Sequence, residues 1–316
     1  MANTKITDGA ASRLRFGIGE WFGEPLTAMS EADRGRFAAM ALSDPGSAPP
    51  QCPFMSTPEK PRTCWKRGGV CSLRLYEDTG NGSGTPAEGP EGDLRAVCPW
   101  RFYENQQVFS LIAAELLQCS TPEVVREVRF LRRRDGAELS EISQVKKQEG
   151  VGNIDCVLVA PGSDPMRWCA LEIQAVYFSG EKMSHLFEQI GRFKGPGVPF
   201  PDRVRRPDYR SSGPKRLMPQ LQIKVPTLRR WGKKMAVVVD AAFYRNLGTI
   251  RTQPDISNAD IAWFVAHFDL INESYRLRLD PARCATLEDA VEGLTGGEPV
   301  SLPEFEEKIA EKLRCG

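Results

Sequence analysis

Two apolar runs constrain this chain more than any other feature. Asn153–Ala160 (NIDCVLVA) and Arg167–Phe178 (RWCALEIQAVYF) have strand length and are rich in β-branched, aromatic and small apolar residues. Pro161–Met166 (PGSDPM) between them has turn chemistry, so the two read as a hairpin. A similar segment, Val124–Leu131 (VVREVRFL), precedes them. Two more, Lys234–Tyr244 (KMAVVVDAAFY) and Ile261–Leu270 (IAWFVAHFDL), follow. Helical spacing of Val108, Leu111, Ile112 and Leu116 predicts a helix over Glu104–Leu117. Met183, Leu186, Phe187 and Ile190 predict another over Gly180–Phe193. Ser301 with Glu304 three residues on is a capping box for a last helix to Leu313. Helix, three strands, helix, strand, strand implies an α/β or α+β core with a mixed sheet.

The N-terminal part is harder to read. Ile18–Phe22 and Ala32–Leu42 look helical in patches, and Pro45–Pro61 looks irregular. Glu77–Asp93 (EDTGNGSGTPAEGPEGD) reads as a mobile loop that cannot pack. At 316 residues the chain makes one large or two modest domains. The expected division is an N-terminal region, 1–100, and a core, 101–316. No stretch approaches about 18 consecutive apolar residues, which excludes a helical membrane span. Met1–Arg15 lacks the apolar centre of an export signal. Nine cysteines is an odd number in a chain too long for a disulfide miniprotein, so a reducing cytoplasm is expected, with clustered cysteines as metal ligands.

Asp155 opens an otherwise apolar strand. Glu172 and Gln174 are two apart, so both leave one face of theirs, while Leu171, Ile173 and Ala175 point into a core. Polar groups on such a strand need partners, because burying them alone is costly. With the strands adjacent, Asp155 and Glu172 can share a hard divalent cation such as Mg²⁺. The plainer alternative puts both at solvated strand ends. Cys52, Cys64, Cys71 and Cys98 lie outside the strands with eleven, six and twenty-six intervening residues, and no C-x-x-C pair is present. Four thiolates from irregular chain suit a tetrahedral structural site that would tie off the 77–93 loop; the alternative is unrelated free thiols. Cys156 and Cys169, inside apolar strands, read as core.

Net charge is only +1, but 192–234 holds 13 Lys and Arg against two Asp, a local balance of +11. Proline and glycine interrupt this block, so it reads as an extended segment able to follow a groove. Arg203, Arg205, Arg206, Arg210, Lys215 and Arg216 are its candidate phosphate or base contacts. His267 reads as a satisfied core residue and His185 as a helix-surface residue. Two histidines, no G-x-x-x-x-G-K-[ST] loop and no G-x-G-x-x-G after a strand leave Ser-His-Asp, multi-histidine metal, NTP and NAD chemistry without support.

CPWRFYEN at 98–105, EVRFL at 127–131, VGNIDCVLV at 151–159 and ALEIQAVYFSG at 170–180 together resemble the NotI-type family of type II restriction endonucleases. The resemblance implies a PD-(D/E)xK restriction-endonuclease-like core, with a mixed central sheet flanked by helices and an irregular four-cysteine metal-binding segment. The metal-binding carboxylates then fall on Asp155 and Glu172. Gln174 occupies the position usually held by lysine, as in this family. Glu127 matches the first-strand glutamate, with Glu141 and Glu149 as rivals across the charged insert Arg132–Gly150. An iron site on Cys52, Cys64, Cys71 and Cys98 is implied, and zinc suits the same ligands. Further implications are Mg²⁺-dependent cleavage of double-stranded DNA by a homodimer in the bacterial cytoplasm, at a GC-rich palindrome with a CGGCCG-like centre. A companion methyltransferase would protect the host DNA. The rival reading is a DNA-binding regulator with a structural metal and no chemistry; a third is a monomeric repair or nicking nuclease.

Overall fold

The computed structural model describes residues 13–43, 50–130, 152–295 and 300–315. The chain begins β1 (Leu14–Trp21), β2 (Glu24–Pro25), α1 (Glu31–Leu42), β3 (Val70–Asp78), β4 (Ser83–Pro86), β5 (Arg95–Ala96) and α2 (Gln107–Leu117). It continues with β6 (Glu123–Arg129), β7 (Asn153–Val159), β8 (Trp168–Ile173), β9 (Phe178–Gly180), α3 (Met183–Arg192), β10 (Val198–Pro199) and β11 (Arg205–Pro207). The last third holds α4 (Tyr209–Ser212), α5 (Met218–Arg230), β12 (Met235–Asp240), α6 (Ala241–Arg245), β13 (Ile261–Ile271), β14 (Ser274–Leu279), β15 (Arg283–Ala285), α7 (Leu287–Thr295) and α8 (Leu302–Cys315).

The central sheet runs β14-β13-β12-β8-β7-β6, with β15 on β13. Strands β6, β7 and β8 are antiparallel; β12 is parallel to both β8 and β13. This is the expected mixed sheet. Every residue of β12 (MAVVVD) is buried, as a parallel strand covered on both faces requires. Cys156, Leu158, Cys169, Leu171, Ala236 and Val238 face α2 through Val108, Phe109, Ile112 and Ala113. On the opposite face Val157, Ala170, Val237 and Val239 pack against Leu221, Val225 and Leu228 of α5. Glu172 has the parity of Ala170, so period-two alternation aims it at α5.

The N-terminal region departs from expectation. Ile18–Phe22 is not helical: β1 covers Ile18 to Trp21 and pairs antiparallel with β3. Gly17 and Gly19 weaken a helix there, and the strand closes on its neighbours at both: a Cβ on Gly17 would lie 2.9 Å from Pro201, and one on Gly19 only 2.4 Å from Leu94. Glu77–Asp93 packs after all. It ends β3, turns through Gly80 and Gly82 at positive φ, and returns as β4, with Ser83, Gly84 and Ala87 buried. Its glycines make the turn, and its lack of apolar side chains does not prevent backbone pairing. The first sheet, β10-β4-β3-β1-β2, draws its edge strand from beyond residue 190, and α1 packs with Leu186, Phe187 and Ile190 of α3 beside it.

Arg101, in the turn Pro99–Gln106, joins the two sheets. Its Nε donates to both oxygens of Glu20 at 2.8 Å, Nη1 to Glu104 at 2.7 Å and Nη2 to the Tyr275 carbonyl at 3.0 Å. The rings of Phe54 and Phe268 lie 4.5 and 4.4 Å from the guanidinium.

Candidate active site

The strand registers set the carboxylates in a row. Arg126 and Val128 of β6 face Cys156 and Ile154 of β7, which places Glu127 across from Asp155. Cys156 faces Leu171, which places Asp155 across from Glu172 of β8. The Asp155 N–H donates to Glu172 Oε1 at 3.4 Å, and the Ile173 N–H donates to Asp155 Oδ2 at 3.2 Å. Asp155 is half-buried. Glu172 is only 2% exposed, so it is not at a solvated strand end. Glu127 is exposed, and its backbone is left-handed (φ 52°), a conformation that costs an L-residue about 1–2 kcal/mol. Such strain collects at functional positions.

Electrostatics follow from this crowding. Burial pushes Glu172 up to about 8; the Asp155 charge adds to the shift and Lys224 opposes it. Burial also raises Asp155, against hydrogen bonds from Ile173 and Glu172 and the charge of Lys224; Glu127 adds to the rise. Crowding two carboxylates favours the protonated form of each, and the Lys224 ammonium opposes this.

The cation beside them was not legible in the sequence as part of this site. Lys224 Nζ lies 2.5 Å from Glu172 Oε1 and 2.7 Å from Gln220 Oε1, and the residue is fully buried. It comes from the block read as extended and DNA-facing. The block is extended, as expected, through β10 and β11, but from Tyr209 it is helical: α4 passes through a π-type turn, Gly213–Leu217, into α5. The apolar seam Leu217, Leu221, Val225 and Leu228 holds it on the sheet, and this tertiary packing overrides Pro214, Pro219 and Pro226. Gln174 sits just past β8. Its N–H donates to the Val238 carbonyl, and its side-chain amide to the Ala175 carbonyl at 2.6 Å.

The six basic candidates separate. Arg203, Arg206, Arg210, Lys215 and Arg216 are exposed. Arg203 and Arg206 line an open hollow of about 540 Å³ with Ser179, Gly180, Glu181, Asp202 and Val204, beside the β9–β11 pair. Arg205 is 3% exposed and donates to the Lys182 carbonyl. Arg229 is engaged by Asp260 and Glu288. His267 meets Asp280 at 3.1 Å and so is satisfied, but it is half-buried and not a core residue; His185 is exposed on α3. Glu141 and Glu149 lie outside the described residues.

Cys52, Cys64, Cys71 and Cys98 are all buried. The backbone links them in two pairs: the Cys98 N–H donates to the Cys71 carbonyl at 3.2 Å, and the Gln51–Thr63 bridge joins the segments of Cys52 and Cys64, whose N–H groups donate to the Arg62 and Pro50 carbonyls at 2.7 and 2.8 Å. Burial raises each thiol, while backbone N–H groups of Phe54 and Met55 (on Cys52), Lys66, Gly23 and Trp100 oppose the rise. The half-buried Lys66 lies among Cys64, Cys71 and Cys98. The donor chemistry suits a soft metal. Even so, among the described residues no group of three or more His, Cys, Asp or Glu is arranged so that it could hold a metal ion, carboxylates included. Cys156 and Cys169 are core residues, 0% and 1% exposed.

The family profile described as restriction endonuclease NotI matches residues 41–279. The chain belongs to the NotI restriction endonuclease family. As a NotI-family member it is a type II site-specific deoxyribonuclease, and its substrate is double-stranded DNA. The matched residues hold Glu127, Asp155, Glu172, Gln174, Lys224 and the four clustered cysteines, and stop before α7 and α8. A search of curated proteins finds no match. No helix among the described residues is long and apolar enough to cross a membrane.

Proposed function

We propose that this NotI-family enzyme hydrolyses phosphodiester bonds at a GC-rich palindrome with a CGGCCG-like centre, using Mg²⁺ and the PD-(D/E)xK-type row Glu127, Asp155, Glu172 and Gln174. The observation that carries the reading is the cross-strand pair Asp155–Glu172, with the Asp155 N–H 3.4 Å from Glu172 Oε1. Two oxygen donors on adjacent strands, with a third carboxylate across from Asp155, suit a hard cation that binds partly through water and phosphate. When bound, Mg²⁺ lowers the pKa of a water and neutralises charge growing on the phosphate. The chain's own residues do the rest. Asp155 and Glu172 present the carboxylate edge that would hold the cation. Gln174, once its amide leaves the Ala175 carbonyl, hydrogen-bonds the attacking water but cannot titrate as a base. Water adds to phosphorus and the 3′ oxygen leaves. Arg203 and Arg206 contact backbone phosphates along the open hollow.

A symmetric site calls for a two-fold protein. The occupant we assign to the exposed stripe Leu302, Phe305, Ile309 and Leu313 of α8 is the same helix of a second copy. Its first half carries Glu304, Glu306 and Glu307 against Lys308, and its second half Lys312 and Arg314 against Glu311, so antiparallel pairing sets a net negative half against a net positive one. A companion methyltransferase and a cytoplasmic setting belong to the same reading. So does one structural iron or zinc on the four cysteines, for which their burial and the backbone pairing of Cys71 with Cys98 and of the Cys52 and Cys64 segments are the support. Metal analysis of purified protein should find about one such ion per chain, lost in Cys64→Ser.

Glu172→Ala tests the core of the proposal. Cleavage should fall by a factor of about 100 or more while DNA affinity in EDTA changes little. Full cleavage by the variant would remove Glu172 from the chemistry.

A further inference from the structure

A lysine on the seam of a core helix is poorly explained by stability. Its neighbours Leu221, Val225 and Leu228 are apolar, and an apolar side chain of similar length would fill the place. Buried ion pairs are often no better than the apolar residues that can replace them, because desolvation offsets the attraction. Yet Lys224 is fully buried, with its ammonium 2.5 Å from Glu172. Gln220, one turn back, accepts from the same ammonium at 2.7 Å and fixes its direction. The π-type turn Gly213–Leu217 just before α5 is a second local irregularity, of a kind that gathers at functional sites. Meanwhile Gln174, two residues along the strand from Glu172, carries no charge and spends its amide on the Ala175 carbonyl. Among the described residues, Lys224 is the only cation within hydrogen-bond reach of either Asp155 or Glu172.

We propose that Lys224 is the positioning cation of the active site, supplied by α5 in place of a strand lysine at position 174. Its ammonium holds Glu172 Oε1, which leaves Oε2 and the Asp155 carboxylate as the edge offered to the reaction. Lys224 does not touch DNA and acts through Glu172. The proposal rests on the nuclease reading above and gives the basic block two jobs: an outer arginine surface and one inward charge.

The test compares the wild type with Lys224→Met, Gln174→Lys and the double variant. Single-turnover cleavage with Mg²⁺, DNA affinity in EDTA and melting temperature without metal are read in parallel. Lys224→Met should lose roughly 10- to 100-fold in cleavage rate, as groups that orient a metal ligand do, with affinity changed less than about threefold. Adding Gln174→Lys should restore about tenfold of that loss, because the ammonium returns to Glu172 from the strand. A merely structural lysine predicts no such rescue. If Lys224→Met does not fold, Lys224→Gln takes its place and is rescued in the same way. The proposal is overturned by a folded variant that cuts within about threefold of wild type, or by a loss that Gln174→Lys leaves untouched. A wild type that fails to cut sinks the nuclease reading itself and is seen in the same experiment.

Discussion

Arg101 has no exposed surface, and its partners come from β1, β14 and its own turn. Removing it leaves Glu20, also fully buried, without its main counter-charge. Arg101→Leu should therefore cost about 3–5 kcal/mol in urea unfolding, and a loss below about 1 kcal/mol would contradict the account. Asp240 supplies the pH-dependent counterpart. It accepts the Phe243 N–H at 2.7 Å and the Ala96 N–H at 2.9 Å, and burial lifts it from 3.8 to about 6. A raised carboxyl stabilises the fold fully below its unfolded value, and that contribution is lost as pH rises through the folded one. The stability difference between wild type and Asp240→Asn should thus shift by about 2 kcal/mol against the wild type between pH 4 and 7. A difference that does not change with pH would rule this out. Asp155 and Glu172 were legible because strand period and turn chemistry act locally. Lys224 was not, since it is one of 13 basic residues in 192–234 and its charge sets it with the other twelve. The available signal was its place within the Leu217, Leu221, Val225, Leu228 spacing.

At the level of elements, the central strands were readable because β7, β8, β12 and β13 are apolar nearly throughout. The first sheet was not, because β2, β5 and β10 have two residues each, and β5 and β10 are held by pairing with strands distant in sequence. The end of the chain was legible from its cap. The Ser301 N–H and hydroxyl both meet Glu304 Oε2 at 3.0 Å, and α8 follows. Its apolar stripe touches little of the chain. Deleting residues 296–316 should leave the melting temperature of the remainder within a few degrees at low concentration, while sedimentation shifts from dimer to monomer. A truncated chain that stays dimeric would move the interface elsewhere.

For the whole molecule, charge is distributed unevenly: +11 over 192–234 leaves −10 for the remainder. Folding then divides the basic block again, into buried Lys224 and Arg205, Arg229 paired with acids, and an exposed set that includes Arg203 and Arg206. Substituting Arg203 and Arg206 together by Ala should weaken DNA binding across sequences and reduce the salt slope by about 1 for each phosphate no longer neutralised. An unchanged slope would place the DNA on another face. The central claim is that the carboxylate row cuts DNA at defined sites, and it is tested most directly on GC-rich bacterial DNA incubated with the purified protein in Mg²⁺ or in EDTA. The account predicts discrete fragments in Mg²⁺ alone, with one palindromic sequence at their ends. Intact DNA, or random nicks without linear fragments, would contradict it.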